Sequence, residues 1–474
     1  MTLGVESYRK KRMPAVEPFI NGLKIVPCDI AVCIPCLDEL EYLPSTIDSI
    51  INAWNFYNFS QKNTTAQPSD NFQNSKISKT AQNTTQFFQP AQKAQACKTA
   101  QNAQTFQIER KFSTLLIVVN VNNKKSASEK TKNNNFLLYN MLCNSPLANK
   151  KAQNCKSNFF NFENYKSHAW NCENYKNVKL VPIDCFSKNR ELPEKDGAGF
   201  ARKVALDFAF LCCDGKNDAI LCCLDADTLI DENYFCCIAK SFGDCVKNGK
   251  VFQKIKAGVT DFCHQLGKNE EQNNAILQYE KYLKTHSENL QKCGSPWYPV
   301  ALGPTLVCTA QFYASCGGMN RHIAGEDFYF LQAMLKTCGD GEFTKIPCTV
   351  RPSSRLSERV TFGTGTAIKG QMEKTKIVQG FAQSSFEELK TLLDFVNDFC
   401  FLASKNCDIK AEDFFEELKK KSENAYNFLQ KENFLNIWEK LFIQNRKDEK
   451  KLKKTFNCWF DGLKTIQFFH FLEK

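Results

Sequence analysis

Two carboxylates one residue apart, Asp225 and Asp227, follow the apolar run Ala219-Ile-Leu-Cys-Cys-Leu224. The run is short and unbroken by Gly or Pro, so it reads as a buried strand. Open α/β sheets bind ligands at the carboxyl ends of their strands, which is where this pair falls. A period of two puts both carboxylates on one face. Hard oxygen donors placed this way suit Mg²⁺ or Mn²⁺ holding a diphosphate, although Asp-x-Asp also occurs as a plain turn. Glu326-Asp327 follows a Gly317-Gly318 turn and opens a helical pattern. Carboxylates there could take a proton from a hydroxyl or merely complement a helix dipole. Arg355 and Arg359 flank Ser357 ahead of Gly363-Thr-Gly365. Such arginines can grip phosphate oxygens bidentately or form surface ion pairs.

The elements that must position these residues alternate along the chain. Strands are expected at Asp29–Pro35, Leu115–Asn120, Val178–Ile183 and the run before Asp225. Helices are expected at Tyr42–Ile51, Val204–Leu211, Ala275–Leu283 and from Glu326 onward, with a strand-like segment at Pro304–Ala314. Strands alternating with helices predict an α/β fold: a Rossmann-like, mainly parallel sheet flanked by helices. Residues 1–28 read as an N-terminal extension and 29–375 as the main domain. Within it, residues 58–110 are rich in Gln, Asn, Thr, Ser and Lys. Such a segment buries too little to offset its chain entropy, so a disordered insertion is expected. Residues 376–474 read as a helical module. Ser385 and Glu388 have capping-box spacing there, and Phe386, Leu389, Leu393, Val396 and Cys400 form one stripe.

The chain of 474 residues carries a net charge of +11, spread over a Lys-rich surface. That suits weak contact with nucleotides, phosphates or a lipid surface, and no ordered nucleic-acid-binding signature accompanies it. The 24 cysteines include adjacent pairs inside apolar runs, as small hydrophobes of a reducing compartment do. Cys33-Ile-Pro-Cys36 has no second such pair to complete a zinc site. With neither an apolar leader nor a run long enough to span a bilayer, a cytoplasmic protein is expected, in solution or peripheral to a membrane.

These segments, in this order, resemble a family 2 glycosyltransferase of the GT-A, nucleotide-sugar-dependent fold. The residues that carry the resemblance are Ile34-Pro35-Cys-Leu-Asp38-Glu39, Gly197-x-Gly199-x-Ala-Arg202-Lys203, Asp225-x-Asp227, Gly317-Gly318 and Glu326-Asp327. Pro352-Ser-Ser-Arg355-x-Ser-x-Arg359 with Gly363-Thr-Gly365 adds a likeness to a bacterial subgroup that builds cell-envelope polysaccharide. Together they cover about residues 29 to 370. The resemblance implies an inverting transfer from a nucleoside-diphosphate sugar, UDP first among the nucleotides, to a hydroxyl of a saccharide or lipid-linked acceptor. It implies that Pro35, Asp38 and Glu39 meet the base and ribose, and that Gly199, Arg202 and Lys203 lie against the nucleotide. Asp225 and Asp227 would hold Mg²⁺ or Mn²⁺, with Asp227 the direct ligand. Asp327 would be the general base, with Glu326 beside it, and Arg355 and Arg359 would grip the diphosphate. The chain departs from the family at two points. Asn120, Asn122 and Asn123 stand where an Asp commonly reads the base, and no His lies between Ile323 and Phe469 to complete a metal shell. His264, His322, water or the diphosphate are left to complete it.

Other readings fit less well. Gly197-x-Gly199 suggests a dinucleotide fold, but Arg202 occupies the third glycine position and no strand precedes it. A nucleotidyltransferase would want a Gly-rich loop after the first strand, where Cys36-Leu-Asp-Glu39 has none. A non-catalytic nucleotide- or sugar-binding protein on the same scaffold is the rival of another class.

Overall fold

The structure is a computed structural model that describes residues 3–65, 106–148, 177–213, 218–247, 250–253, 255–356, 364–373 and 380–474. The chain opens with helices α1 (Leu3–Arg12) and α2 (Glu17–Ile20), then strand β1 (Ile30–Cys36) and helix α3 (Leu43–Thr65). There follow β2 (Phe106–Ile108), β3 (Leu115–Asn122), α4 (Glu129–Asn144), β4 (Val178–Cys185), α5 (Ala198–Cys212) and β5 (Ile220–Cys223). Next come β6 (Leu229–Ile230), α6 (Tyr234–Ser241), β7 (Asp244–Lys247), β8 (Lys250–Gln253), β9 (Ala257–Phe262) and α7 (Glu270–Lys292). The main domain closes with β10 (Leu306–Thr309), α8 (Ala310–Ser315), α9 (Glu326–Thr337), β11 (Phe343–Arg351) and α10 (Thr364–Met372). The C-terminal helices are α11 (Gln383–Lys405), α12 (Asp413–Lys421), α13 (Glu423–Lys431), α14 (Phe434–Asn445), α15 (Glu449–Trp459) and α16 (Gly462–Leu472).

Eight strands form one sheet in the order β4-β3-β1-β5-β10-β9-β11-β6, and β2-β7-β8 form a small second sheet. Strand β1 pairs in parallel with β3 and β5, and β3 with β4. Strand β10 runs antiparallel to β5 and β9, while β9 and β11 are parallel. The expected α/β architecture, a mainly parallel sheet between helices followed by a helical region, is what forms.

The central strands are apolar on both faces because both are covered. Ala31, Cys33, Leu116 and Val118 pack with α5, while Val32, Ile34, Ile117 and Val119 pack with α3 and α6. A third core fills the C-terminal helices, around Phe414, Phe428, Phe434, Trp438 and Phe456, and takes in Leu290 of α7 and Cys293 just after it. The rings of Phe414 and Trp438 lie 4.6 Å apart, so aromatic packing dominates there.

Several local expectations change in the structure. Residues 1–28, read as an extension, pack into the main core through Val5, Tyr8, Met13, Val16, Ile20 and Val26. Helix α3 runs on to Thr65, and most of the low-complexity stretch lies outside the described residues. Pro304–Ala314 is not one strand: β10 ends at Thr309, whose hydroxyl accepts from Phe312 N and starts α8. Ser385 and Glu388 make no capping box. Helix α11 begins two residues earlier, and Ser385 Oγ donates to Glu473 while Glu388 accepts from Ser422. Every cysteine among the described residues is a free thiol, Cys33 and Cys36 included. No helix among them is long and apolar enough to cross a membrane.

Candidate active site

Strand β5 ends at Cys223, so Asp225 and Asp227 sit in the turn beyond it, at the carboxyl edge of β1, β3 and β5. Ala226 between them is buried, and Thr46 of α3 donates its hydroxyl to the Ala226 carbonyl at 2.9 Å. The turn is thereby pinned, and each carboxylate meets a different arginine.

Asp225 faces α5. Arg202 Nη2 lies 2.8 Å from Asp225 Oδ1 and 3.4 Å from Glu326 Oε1, so one buried guanidinium joins the turn to the start of α9. Burial works against its charge, but Asp225 and Glu326 outweigh that and hold its pKa above the usual value. Its Nε and Nη1 are buried without hydrogen-bond partners. Space for the guanidinium comes from Gly303, where a Cβ would lie 2.4 Å from Arg202 Nη2. Gly199 does the same for the backbone: a Cβ there would meet His322 O at 2.6 Å and Glu326 Cβ at 2.9 Å. It thus seats α5 against the loop that leads to Glu326.

Asp227 faces the other way. Arg355 Nε lies 2.8 Å from Asp227 Oδ2, and its Nη2 pairs with Glu39 in the loop after β1. The guanidinium carbon stacks 4.3 Å from the Tyr42 ring centroid. Burial opposes the charge on Arg355, yet Glu39 and Asp227 raise its pKa above the ordinary value. Gln265 ties the same corner together, donating from Nε2 to the carbonyls of Asp227 and Arg351 at 2.9 and 2.7 Å. Asp38 adopts a left-handed backbone, φ 58°. Its carboxylate accepts from Asn134 at 2.7 Å and Thr131 at 3.2 Å. Arg359, the second arginine expected to grip phosphate, and Gly363 lie outside the described residues.

Asp327 stands in the first turn of α9, next to Glu326 and after Gly325, whose φ of 71° favours glycine. Burial, and then the negative charge of Glu326, push its pKa up to about 7 against the opposing pull of Arg202. Tyr279 of α7 stands close enough to feel it: burial first, then the Asp327 charge, raise the phenol to about 12. A carboxyl poised near neutrality can accept a proton and release it again.

Other expected residues are placed elsewhere. Lys203, expected against the nucleotide, is buried on another side of α5, 2.9 Å from Asp207 Oδ2 and 2.7 Å from the Tyr8 hydroxyl. Asn120 is fully buried and donates to Ala201 O at 2.8 Å, while Asn122 donates to the carbonyls of Cys36 and Asn120 at 3.0 Å each. Both side-chain amides donate to backbone carbonyls, and Asn120 Oδ1 is buried without a hydrogen-bond partner. Pro35 lies within β1, in register with Asn120.

Sequence reasoning did not anticipate the pairing of His264 with Glu280. His264 Nδ1 lies 2.9 Å from Glu280 Oε2, and Lys284 holds the other oxygen at 2.6 Å. Burial favours protonation of Glu280, but those partners prevail and hold it at about 2. Spacing along α7 puts Glu280 and Lys284 on one face, but only the fold brings His264 to them.

Among the described residues, no group of three or more His, Cys, Asp or Glu is placed to hold a metal. The two carboxylates of the turn face different ways, so Asp227 is the one that could serve a Mg²⁺ site of the kind that uses one or two carboxylates and completes its shell with water and phosphate oxygens. His322 is exposed and stacks 4.3 Å from Tyr329, and His264 is committed to Glu280 through Nδ1.

No family model matches the sequence, and no curated protein matches it. Among solved structures, the chain is similar to residues 1–349 of S. aureus TarS in complex with UDP-GlcNAc, at 10% identity and a TM-score of 0.32. It is also similar to the same protein alone and with UDP, each at 9% identity, with TM-scores of 0.30 and 0.31. In each case 90% of this chain and 91% of the other are covered.

Proposed function

We propose that this chain is an inverting, metal-assisted glycosyltransferase of family 2. It moves a sugar from a nucleoside-diphosphate donor, UDP first, to a hydroxyl of a saccharide or lipid-linked acceptor. The observation that carries the reading is the cluster at the carboxyl edge of the sheet, where the buried Arg202 joins Asp225 to Glu326 and Asp327 stands protonatable beside them.

In the reaction, the acceptor oxygen forms a bond to C1 as the bond from C1 to the diphosphate oxygen breaks. The acceptor proton passes to Asp327, and the leaving diphosphate takes the bonding pair. Attack opposite the leaving group inverts C1 and requires no covalent enzyme intermediate. Arg355 can turn its charge from Asp227 and Glu39 toward the diphosphate, since guanidinium and phosphate pair bidentately. Asp227, with Asp225 behind it, would hold a divalent cation. Such a cation stabilises charge on the leaving phosphate when bound. Arg202 pairs with Asp225 and Glu326 and aligns them.

Thermal unfolding of the full chain with UDP, GDP, CDP and dTDP, each with and without Mn²⁺, tests the donor site. Saturation at one hundred times the dissociation constant stabilises by about 2.7 kcal/mol. A Mn²⁺-dependent shift with one nucleotide is expected, and no shift with any of them rejects the reading.

A further inference from the structure

A cavity of about 800 Å³ lies between α7, α9 and the C-terminal helices. It falls within the roughly 300–1,000 Å³ typical of small-molecule sites. Two elements connect it to the candidate base. Helix α9 carries Asp327 and then lines the cavity with Phe328, Leu331 and Leu335. Helix α7 carries Tyr279 near Asp327 and, one turn on, lines the cavity with Tyr282 and Leu283. The C-terminal helices complete the far wall through Phe381, Ile466 and their neighbours.

Several polar groups of the lining are turned to the protein itself, whereas His286 Nδ1 is buried without a hydrogen-bond partner. Ser287 Oγ donates to Tyr298 O at 2.6 Å, and Gln332 Oε1 accepts from Gly462 N at 2.9 Å. Thr465 Oγ1 donates to Asp461 O at 3.0 Å, and Glu473 accepts from Ala382 N and Ser385 Oγ at 2.8 and 2.9 Å. Ring faces and alkyl groups make up most of what remains to meet an occupant. A bare saccharide in such a space would leave hydroxyls unpaired, at a cost an apolar group does not incur.

We infer that this cavity binds the apolar portion of an amphiphilic acceptor, an alkyl or prenyl aglycone, while the acceptor hydroxyl reaches Asp327. This rests on the transferase reading and narrows it to a lipid-linked rather than a free saccharide acceptor. The C-terminal helices thereby become part of the substrate site.

Two glycines allow the cavity to be filled. A Cβ on Gly462 would stand 3.5 Å from the Phe328 ring, and one on Gly380 3.8 Å from the Tyr282 ring, both ordinary contacts. Gly380 is exposed, so Gly380→Leu fills the space without threatening the fold, and Gly462→Leu fills it from the buried side. Octyl and methyl β-D-glucoside serve as probes, titrated calorimetrically into the full chain below the micellar concentration. Octyl glucoside should bind at least about tenfold more tightly than methyl glucoside, and each Leu variant should remove that preference while nucleotide binding stays unchanged. Equal affinities, or octyl binding that both Leu variants leave intact, overturn the acceptor assignment while nucleotide binding still supports the transferase. An octyl preference without binding of any nucleotide overturns the transferase reading, and the acceptor role with it.

Discussion

Arg202 and Lys203 are neighbours on one helix and both are buried, yet they serve opposite ends. Lys203 lies in a closed cluster: its ammonium meets Asp207 and the Tyr8 hydroxyl, and Tyr313 donates to Asp207 at 2.7 Å. Tyr8 comes from the N-terminal helix and fills the space over Gly318, where a Cβ would stand 2.3 Å from its hydroxyl oxygen. Burial and the Asp207 charge raise the phenols of Tyr8 and Tyr313 well above their usual value, so both phenols keep their protons. Arg202 lies in an open cluster. It bridges two carboxylates from different elements and keeps two buried N–H groups unpaired beside a carboxyl near neutrality. A buried charge network whose ions are paired with one another holds structure together. One left partly unmatched at a strand edge retains interaction energy for a ligand.

The largest effect that separates the two clusters should be on stability. Asp207→Ala leaves Lys203 a buried charge without its carboxylate, so urea unfolding should show a loss of about 3–5 kcal/mol. A loss below about 1 kcal/mol would mean that the two tyrosines suffice and that this cluster is not closed by charge. Asp327→Asn should act at the other cluster, lowering turnover by about 10² or more, equivalent to about 2.7 kcal/mol, with nucleotide affinity retained. Turnover like wild type would remove Asp327 from the chemistry. Asp227→Ala should abolish the Mn²⁺-dependent part of nucleotide binding, and an unchanged Mn²⁺ response would move the cation elsewhere.

Smaller effects should appear in the pH profile. Only the ionised carboxylate can take the acceptor proton, so kcat/KM should rise with pH, by about tenfold per unit below the pKa, and level off above it. The inflection belongs near the value of about 7 to which burial and Glu326 push Asp327. Glu326→Gln removes the negative neighbour and should move the inflection to lower pH. An inflection that stays in place would mean that burial alone sets it. Asp207→Ala should leave the inflection where it is, since Asp207 faces Lys203 and Tyr8 on the other side of α5.

Much of the scaffold was legible in the sequence. Apolar runs such as Leu115–Val119 have few ways to be buried other than as central strands, and the C-terminal stripes have a helical period wherever they pack. The pairing of Asp225 with Asp227 and of Glu326 with Asp327 was visible because those residues are adjacent in the chain. The partners were not. Adjacent residues on a helix diverge by about 100°, so Arg202 and Lys203 cannot face the same site, and nothing in Ala-Arg-Lys-Val says which one does. Asn120 and Asn122 fall where a base-reading side chain is expected, but α5 and the end of β1 supply the carbonyls that bind them. Tyr8, Arg355, His264 and Gly303 reached their places through contacts far apart in the sequence. Composition and period determined the elements of this protein, because burial and backbone hydrogen bonding are satisfied locally. The tertiary structure alone decided which charges meet, because ion pairing depends on the phase of one element against another.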